Sequence, residues 1–203
     1  MKIFIDLDGT LIDSSDRLYK LFCLLTGSDA LSKKKYWLMK RSRISHEVIL
    51  NSQYKYSPDD ISVFQNRWHG LIESREFIDL DVPHSDIDVT LKRLSAMHDL
   101  HLVTARQDGK MVEYQLQKFG WLNYFSSVLV TERKFEKCEL IQKLEPKKTD
   151  WVIGDTGHDV MAAKKLNLKS AVVLNGFLDK NSLLTYMPDL ILESFSNFKI
   201  RTQ

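Results

Sequence analysis

The chain has 203 residues, 43% hydrophobic and 28% charged, with a formal net charge of +2 at neutral pH. That length holds one domain with a sizeable insertion, or one large and one small lobe, and the composition is that of an ordinary globular protein. So small a net charge excludes a strong global field toward nucleic acid or an anionic membrane, leaving such partners to be argued from local patches. No stretch reaches the roughly 20 continuous apolar residues of a membrane span. One lysine followed at once by a strand pattern is unlike a secretory leader, so a cytoplasmic location is expected. Cys23 and Cys138 fall in helix-like apolar patterns and are expected as separate thiols.

The first element is the strand pattern "KIFID", which runs into Asp6, Leu7, Asp8 and a Gly9–Thr10 turn. Carboxylates at the end of a core strand are costly unless something cationic neutralises them. From about residue 14 to residue 84 no strand pattern appears. There "DRLYKLFCLLTG" reads as a helix ended by Gly27, with Ser14 or Ser15 as its cap. "SPDDISVFQNRWHGLIESREF" starts a second helix with Ser57 as N-cap, Pro58 at the first helical position and acids in the first turn. Residues 14–84 are therefore expected as an all-helical insertion, and 1–13 with 85–203 as the main body.

Strand patterns resume with "LHLVTA", "SVLVTE", "DWVIGD", "SAVVLN" and "DLILE". Between them, "SDIDVTLKRLSAMHD" places Val89, Leu91, Leu94 and Met97 at helical intervals. "DGKMVEYQLQKFGW" does the same with Met111, Tyr114, Leu116 and Phe119 before Gly120, and "CELIQKL" and "DVMAAKKLNL" supply shorter helices. Short apolar strands alternating with helices predict a doubly wound, Rossmann-like α/β fold with a parallel sheet. Trp68 and Trp121 are expected in cores.

In such sheets ligands bind beyond the carboxyl ends of the strands. The residues there are Asp6 and Asp8 after the first strand, Thr104 after "LHLV", and Asp155 and Asp159 after "WVIG". So many carboxylates repel one another and call for a hard divalent ion, of which magnesium suits a few carboxylates, waters and phosphate oxygens. Asp6 and Asp155 are the expected direct ligands, with the Asp8 main-chain carbonyl, and Asp159 is placed to position metal-bound water. Asp6 and Asp8, two apart in an extended segment, share a side. One can attack as a nucleophile while the other gives and takes protons.

The set "DLDGTL", a lone Thr104, a basic residue before a later helix, and "GDTGHD" resembles the haloacid dehalogenase superfamily, mostly magnesium-dependent phosphohydrolases. "DGTLIDSSD" and "GDTGHDVMAAKKLNL" look like its phosphoglycolate-phosphatase-like branch, where a helical cap follows the first motif. The resemblance implies Asp6 as nucleophile, Asp8 as general acid/base, Thr104 as a phosphate hydrogen-bond donor, and Asp155 and Asp159 as metal-site acids. It also implies a phosphate-binding lysine, for which Lys137 is preferred over Lys134 on spacing. "RKFEKCEL" lacks the proline that often follows this lysine.

The expected activity is hydrolysis of a small phosphomonoester, a metabolite or nucleotide, through an aspartyl-phosphate. A phosphomutase would share the core motifs, and a binding module would have lost an acid, yet every acidic position is filled. "KKKYWLMKRSR" (33–43) holds six cations and no acid. It reads as a solvated helix face or as a surface for an anionic substrate or nucleic acid, which keeps a nucleic-acid-end phosphatase open. Arg106 is read as reaching a substrate phosphate or pairing with a helix acid. His158 reads as a surface loop residue.

Overall fold

The computed structural model describes residues 1–199, which separate into two units: Met1–Asp13 with the chain from Val82 onward, and Ser14–Asp81. Among the described residues no helix is long and apolar enough to cross a membrane. The first unit begins with β1 (Lys2–Ile5), fully buried from Ile3 on, then a turn at Gly9 and the two-residue β2 (Ile12–Asp13).

The second unit is helical: α1 (Ser15–Thr26), α2 (Lys33–Arg41), α3 (His46–Ile49), α4 (Pro58–Leu71) and α5 (Arg75–Ile78). As expected, α1 stops at Gly27 in the left-handed region, and α4 starts from Ser57. The Ser57 hydroxyl accepts from Asp60 N at 3.2 Å while the Asp60 carboxylate accepts from Ser57 N at 3.0 Å. Ser14 stands at the N-cap of α1, but its buried hydroxyl makes no capping bond, against the sequence reading. Phe22, Tyr36, Phe64 and Trp68 form the unit's aromatic core. His46 is set among them, its Nε2 sharing a 2.9 Å hydrogen bond with the Tyr36 hydroxyl and its ring 4.3 Å from that of Trp68. The Arg17 guanidinium, on α1, meets Asp81 at the end of the unit at 3.2 Å, both side chains almost fully buried.

The chain re-enters the first unit through β3 (Val82–Pro83), antiparallel to β2 with Asp13 opposite Val82. This pairing ends the helical unit at Asp81, where the sequence reading runs to 84. Then follow α6 (Ile87–Ser95), β4 (Asp99–Thr104), α7 (Gly109–Lys118), β5 (Ser127–Val130), α8 (Lys137–Gln142), β6 (Trp151–Gly154), α9 (Gly157–Lys165), β7 (Lys169–Val173), α10 (Lys180–Leu184) and β8 (Leu190–Leu192). Six strands pair in the order β5-β4-β1-β6-β7-β8, all parallel. This is the expected doubly wound sheet. The chain builds outward from β1 on one side and then crosses to the other, so strand order reverses at β1.

Alternation along β1 assigns its two faces. Ile3 and Ile5 pack with Ile87, Leu91 and Leu94 of α6 and Val112 and Leu116 of α7. Phe4 points the other way, against Ile141 of α8 and Ala163 of α9. The apolar stripe of α6 therefore starts at Ile87 and runs through Leu91 and Leu94, leaving Val89 69% and Met97 60% exposed, contrary to the spacing argument. On α7, Val112, Gln115 and Leu116 are buried in place of Met111 and Tyr114. Trp121 is fully buried, Trp68 nearly so, and both cysteines are free thiols.

Two predictions concern the helical unit. Arg17→Ala leaves buried Asp81 without its guanidinium partner and should cost about 3–5 kcal/mol in urea unfolding. Burial, reinforced by the charges of Lys40 and His69, pushes the His46 imidazole down from 6.5 to about 3. The unfolded chain then binds a proton that the folded chain refuses, so stability falls as pH drops from about 6.5 toward 4. Thermal unfolding across that range should show the slope in the parent chain and a shallower one in His46→Gln.

Candidate active site

Strands β4, β1 and β6 lie side by side, and their carboxyl ends carry Thr104, Asp6 and Asp155. Asp6 continues the ladder, its N–H donating to Ile153 O at 2.9 Å. It thus shares the side of Phe4, the face covered by α8 and α9. Lys137 stands one turn before Ile141 on α8, and Asp159 one turn before Ala163 on α9. The helix faces that cover Phe4 therefore present a lysine and an aspartate at the strand end.

The lysine joins the cluster. Lys137 Nζ lies 2.7 Å from Asp6 Oδ1 and 2.6 Å from Asp159 Oδ1. Lys134 is elsewhere, exposed and paired with Glu132 at 2.8 Å. The second Asp159 oxygen accepts from Thr156 N at 3.1 Å and Thr156 Oγ1 at 2.7 Å, which caps α9. Asp155 Oδ2 accepts from Phe177 N at 2.6 Å. Backbone crowds this carboxylate. A Cβ on Gly9, whose φ is +78°, would stand 2.0 Å from Asp155 Oδ2, and one on Gly176 would stand 2.2 Å from it. Thr104 is buried, its carbonyl accepting from Thr131 N at 3.0 Å. His158 is exposed, as expected, but it lies in the first turn of α9 and not in a loop.

Asp6, Asp155 and Asp159 bring carboxylate oxygens within 4.8 Å of one another, all three residues buried. If all three carboxylates were ionised, the single ammonium would leave two negative charges uncompensated. Their protonation behaviour shows where the surplus sits. Burial raises Asp159, but Lys137 and the hydrogen bonds from Lys137 and Thr156 outweigh it and hold the group below the usual carboxylate range. Burial, then the charges of Asp6 and Asp159, push Asp155 well above it. Asp6 is pushed up to about 7 by burial, with Asp159 and Asp8 adding to the effect and Lys137 opposing it. Burial alone would lower Lys137, yet Asp159 and Asp6 hold it well above an ordinary lysine.

A divalent cation fits this cluster. The donors are all carboxylate oxygens, the surplus charge of the fully ionised set is two, and Asp155 Oδ1 is buried with no hydrogen-bond partner among the described residues. Asp6 and Asp155 have oxygens to offer. Asp159 has both oxygens engaged and is better suited to hold Lys137 and orient a neighbouring water.

Asp8 is held from the side. Arg106 Nε donates to Asp8 Oδ2 at 2.7 Å and Arg106 Nη2 to Asp8 Oδ1 at 2.9 Å. Arg106 thus pairs with an acid of the turn after β1 and not with the helix acid that one sequence reading gave it. The available signal was its place two residues after Thr104 at the same strand end. Phe177, whose N–H holds Asp155, was also unmarked, although "NG" directly follows the "SAVVL" strand.

Most of the basic stretch 33–43 lies in α2, and two of its lysines have partners within their own unit. Lys33 pairs with Asp16 at 2.9 Å, and Lys40 donates to Ile44 O with burial lowering its pKa.

Residues 3–173 match the family model of the haloacid dehalogenase-like hydrolases. No curated protein matches the sequence. Among solved structures, a haloacid dehalogenase-like hydrolase from Streptococcus pneumoniae is similar at 22% identity and a TM-score of 0.76, covering 95% of this chain and 93% of that one. A predicted phosphoglycolate phosphatase from Haemophilus somnus gives 20% and 0.74, covering 96% and 94%. A Bacillus subtilis protein described as a HAD-hydrolase bound to magnesium gives 14% and 0.64, covering 95% and 94%. At these identities the likeness speaks to the fold.

The charge arrangement makes a prediction about metal and stability. Magnesium at about a hundredfold excess over its dissociation constant should stabilise the chain by about 2–3 kcal/mol in thermal unfolding. Asp155→Asn should abolish that shift while leaving the chelated protein about as stable as the parent, because burial already disfavours the ionised carboxylate and the amide oxygen can still accept from Phe177 N.

Proposed function

The chain belongs to the haloacid dehalogenase-like hydrolases, and on that footing we propose that it is a magnesium-dependent phosphatase of small phosphomonoesters, working through an aspartyl-phosphate. The observation that carries this reading is Asp6 at the centre of the strand-end cluster, bonded to Lys137 and beside Asp155 and Asp159. The substrate class, a small phosphorylated metabolite or nucleotide, follows from the likeness to the phosphoglycolate-phosphatase-like branch. A cytoplasmic location is proposed with it.

In the proposed reaction Asp6 attacks phosphorus in line, forming an acyl phosphate as the bond to the leaving oxygen breaks. Asp8 supplies the proton that the departing oxygen takes. It then removes a proton from the water that attacks the acyl phosphate, which frees Asp6 and releases inorganic phosphate. Lys137, fixed between Asp6 and Asp159, faces negative charge throughout and offsets part of what gathers on the phosphoryl oxygens. Thr104 donates a hydrogen bond to the same group. Asp6, Asp155 and the Asp8 carbonyl would hold magnesium, with Asp159 orienting its water, and the bound ion would supply charge neutralisation at the phosphoryl oxygens. The surplus of two charges in the fully ionised cluster is what supports the choice of a dication.

The test is phosphate release from sugar phosphates, nucleotides, phosphoglycolate and short end-phosphorylated oligonucleotides, with magnesium and with chelator. Release from one class that chelator stops is the expected result. Asp6→Asn should lower turnover by about 10³-fold or more with the circular dichroism spectrum unchanged. Substantial remaining activity in that variant would remove Asp6 from the role.

A further inference from the structure

The proposed chemistry leaves one buried cation of the first unit without a task. Arg106 is 4% exposed, and two of its donors, Nε and Nη2, meet the two Asp8 oxygens one to one, at 2.7 and 2.9 Å. Both partners extend from neighbouring strands, Asp8 beyond β1 and Arg106 beyond β4, which run in register with Ile5 opposite Leu102. The backbone behind the guanidinium is pinned as well. Arg106 O accepts from Glu132 N at 3.0 Å and from Thr131 Oγ1 at 3.4 Å, both just beyond β5. The direction from which the fork approaches Asp8 is therefore set by three adjacent strands. Asp8 keeps 20% of its side chain exposed.

A carboxyl group that gives a proton and then takes one must enter protonated and present its O–H to the leaving oxygen, and afterwards a lone pair to water, at hydrogen-bond distance and within a narrow range of angles. A single contact would leave its plane free to rotate, whereas a bidentate guanidinium fixes plane and reach together. We propose that Arg106 is a positioning residue that sets the plane of the Asp8 carboxylate for proton transfer to the leaving oxygen, acting through Asp8 and not on the phosphoryl group. The inference rests on the phosphatase reading, in which Asp8 gives its proton as the phosphorus–oxygen bond breaks and recovers one from the attacking water.

Leaving groups separate this role from its rivals. An alkyl phosphate needs the proton, because an alkoxide departs poorly. A 4-nitrophenyl phosphate needs it little, because its phenolate departs unaided. Values of kcat/KM, which report the first chemical step, should fall by about 10²-fold or more for the alkyl ester in Arg106→Ala and by less than about tenfold for the nitrophenyl ester, with KM little changed. Arg106→Lys, which keeps the charge and loses the fork, should behave like Arg106→Ala. In an Asp8→Asn background Arg106→Ala should cost less than about threefold more. Equal losses on both esters with a raised KM would assign Arg106 to substrate phosphate and overturn the inference. Equal losses with a lowered unfolding midpoint would make it structural, and no loss on either ester would also overturn it. Parent protein silent on both esters with magnesium would instead remove the phosphatase reading, and the inference with it.

Discussion

The site is organised by one electrostatic constraint, that three buried carboxylates lie together and a single ammonium bonds only two of them. Lys137 is held by Asp6 and Asp159 at once, and cannot also neutralise Asp155. Much of the local backbone serves this arrangement. The capping box of α9 occupies one Asp159 oxygen, the Phe177 amide occupies one Asp155 oxygen, and Gly9 and Gly176 let main chain approach where a side chain would collide. A carboxylate in such surroundings keeps its charge only if the surroundings supply compensation. The compensation stops short of balance, and the donor set that results is one a dication fits.

The constraint is met by elementary periodicity. Alternation sends Asp6 to the face of Phe4, and helical spacing places Lys137 above Ile141 and Asp159 above Ala163 on the helices that cover that face. The residues that bury the sheet and those that form the site therefore belong to the same stripes of the same helices. Changes at Ile141 or Ala163 would move the charges as well as the packing.

Much of this was legible in the sequence because it depends on local order along the chain. Short apolar runs announce the parallel strands, and the first polar residues after each run announce the strand ends. Lys137 over Lys134 was also accessible, since only the former lies in the first turn of a helix with the right stripe. Other features depend on relations that local order does not carry. The phase of α6 follows from where the helix begins, after Asp86 in the left-handed region, and so Val89 faces solvent, while Met97 lies past the helix end. The Arg106–Asp8 pair joins residues 98 apart in the chain, and only the pairing of β1 with β4 brings them together. β2 and β3, two residues each, are too short to show any alternation, which is why the return from the helical unit was read at 84 and not at 81.

That short ribbon has a consequence for the architecture. The helical unit departs after Asp13 and returns at Val82, residues that face one another across two antiparallel strands. Its two ends are thus fixed next to each other by the first unit's own hydrogen bonds, whatever lies between them. A segment attached this way can be lengthened, shortened or exchanged for another without disturbing the register of the parallel sheet, since loop length itself costs little entropy. The ribbon works as a socket that holds the two ends of the helical unit together, independent of what lies between them.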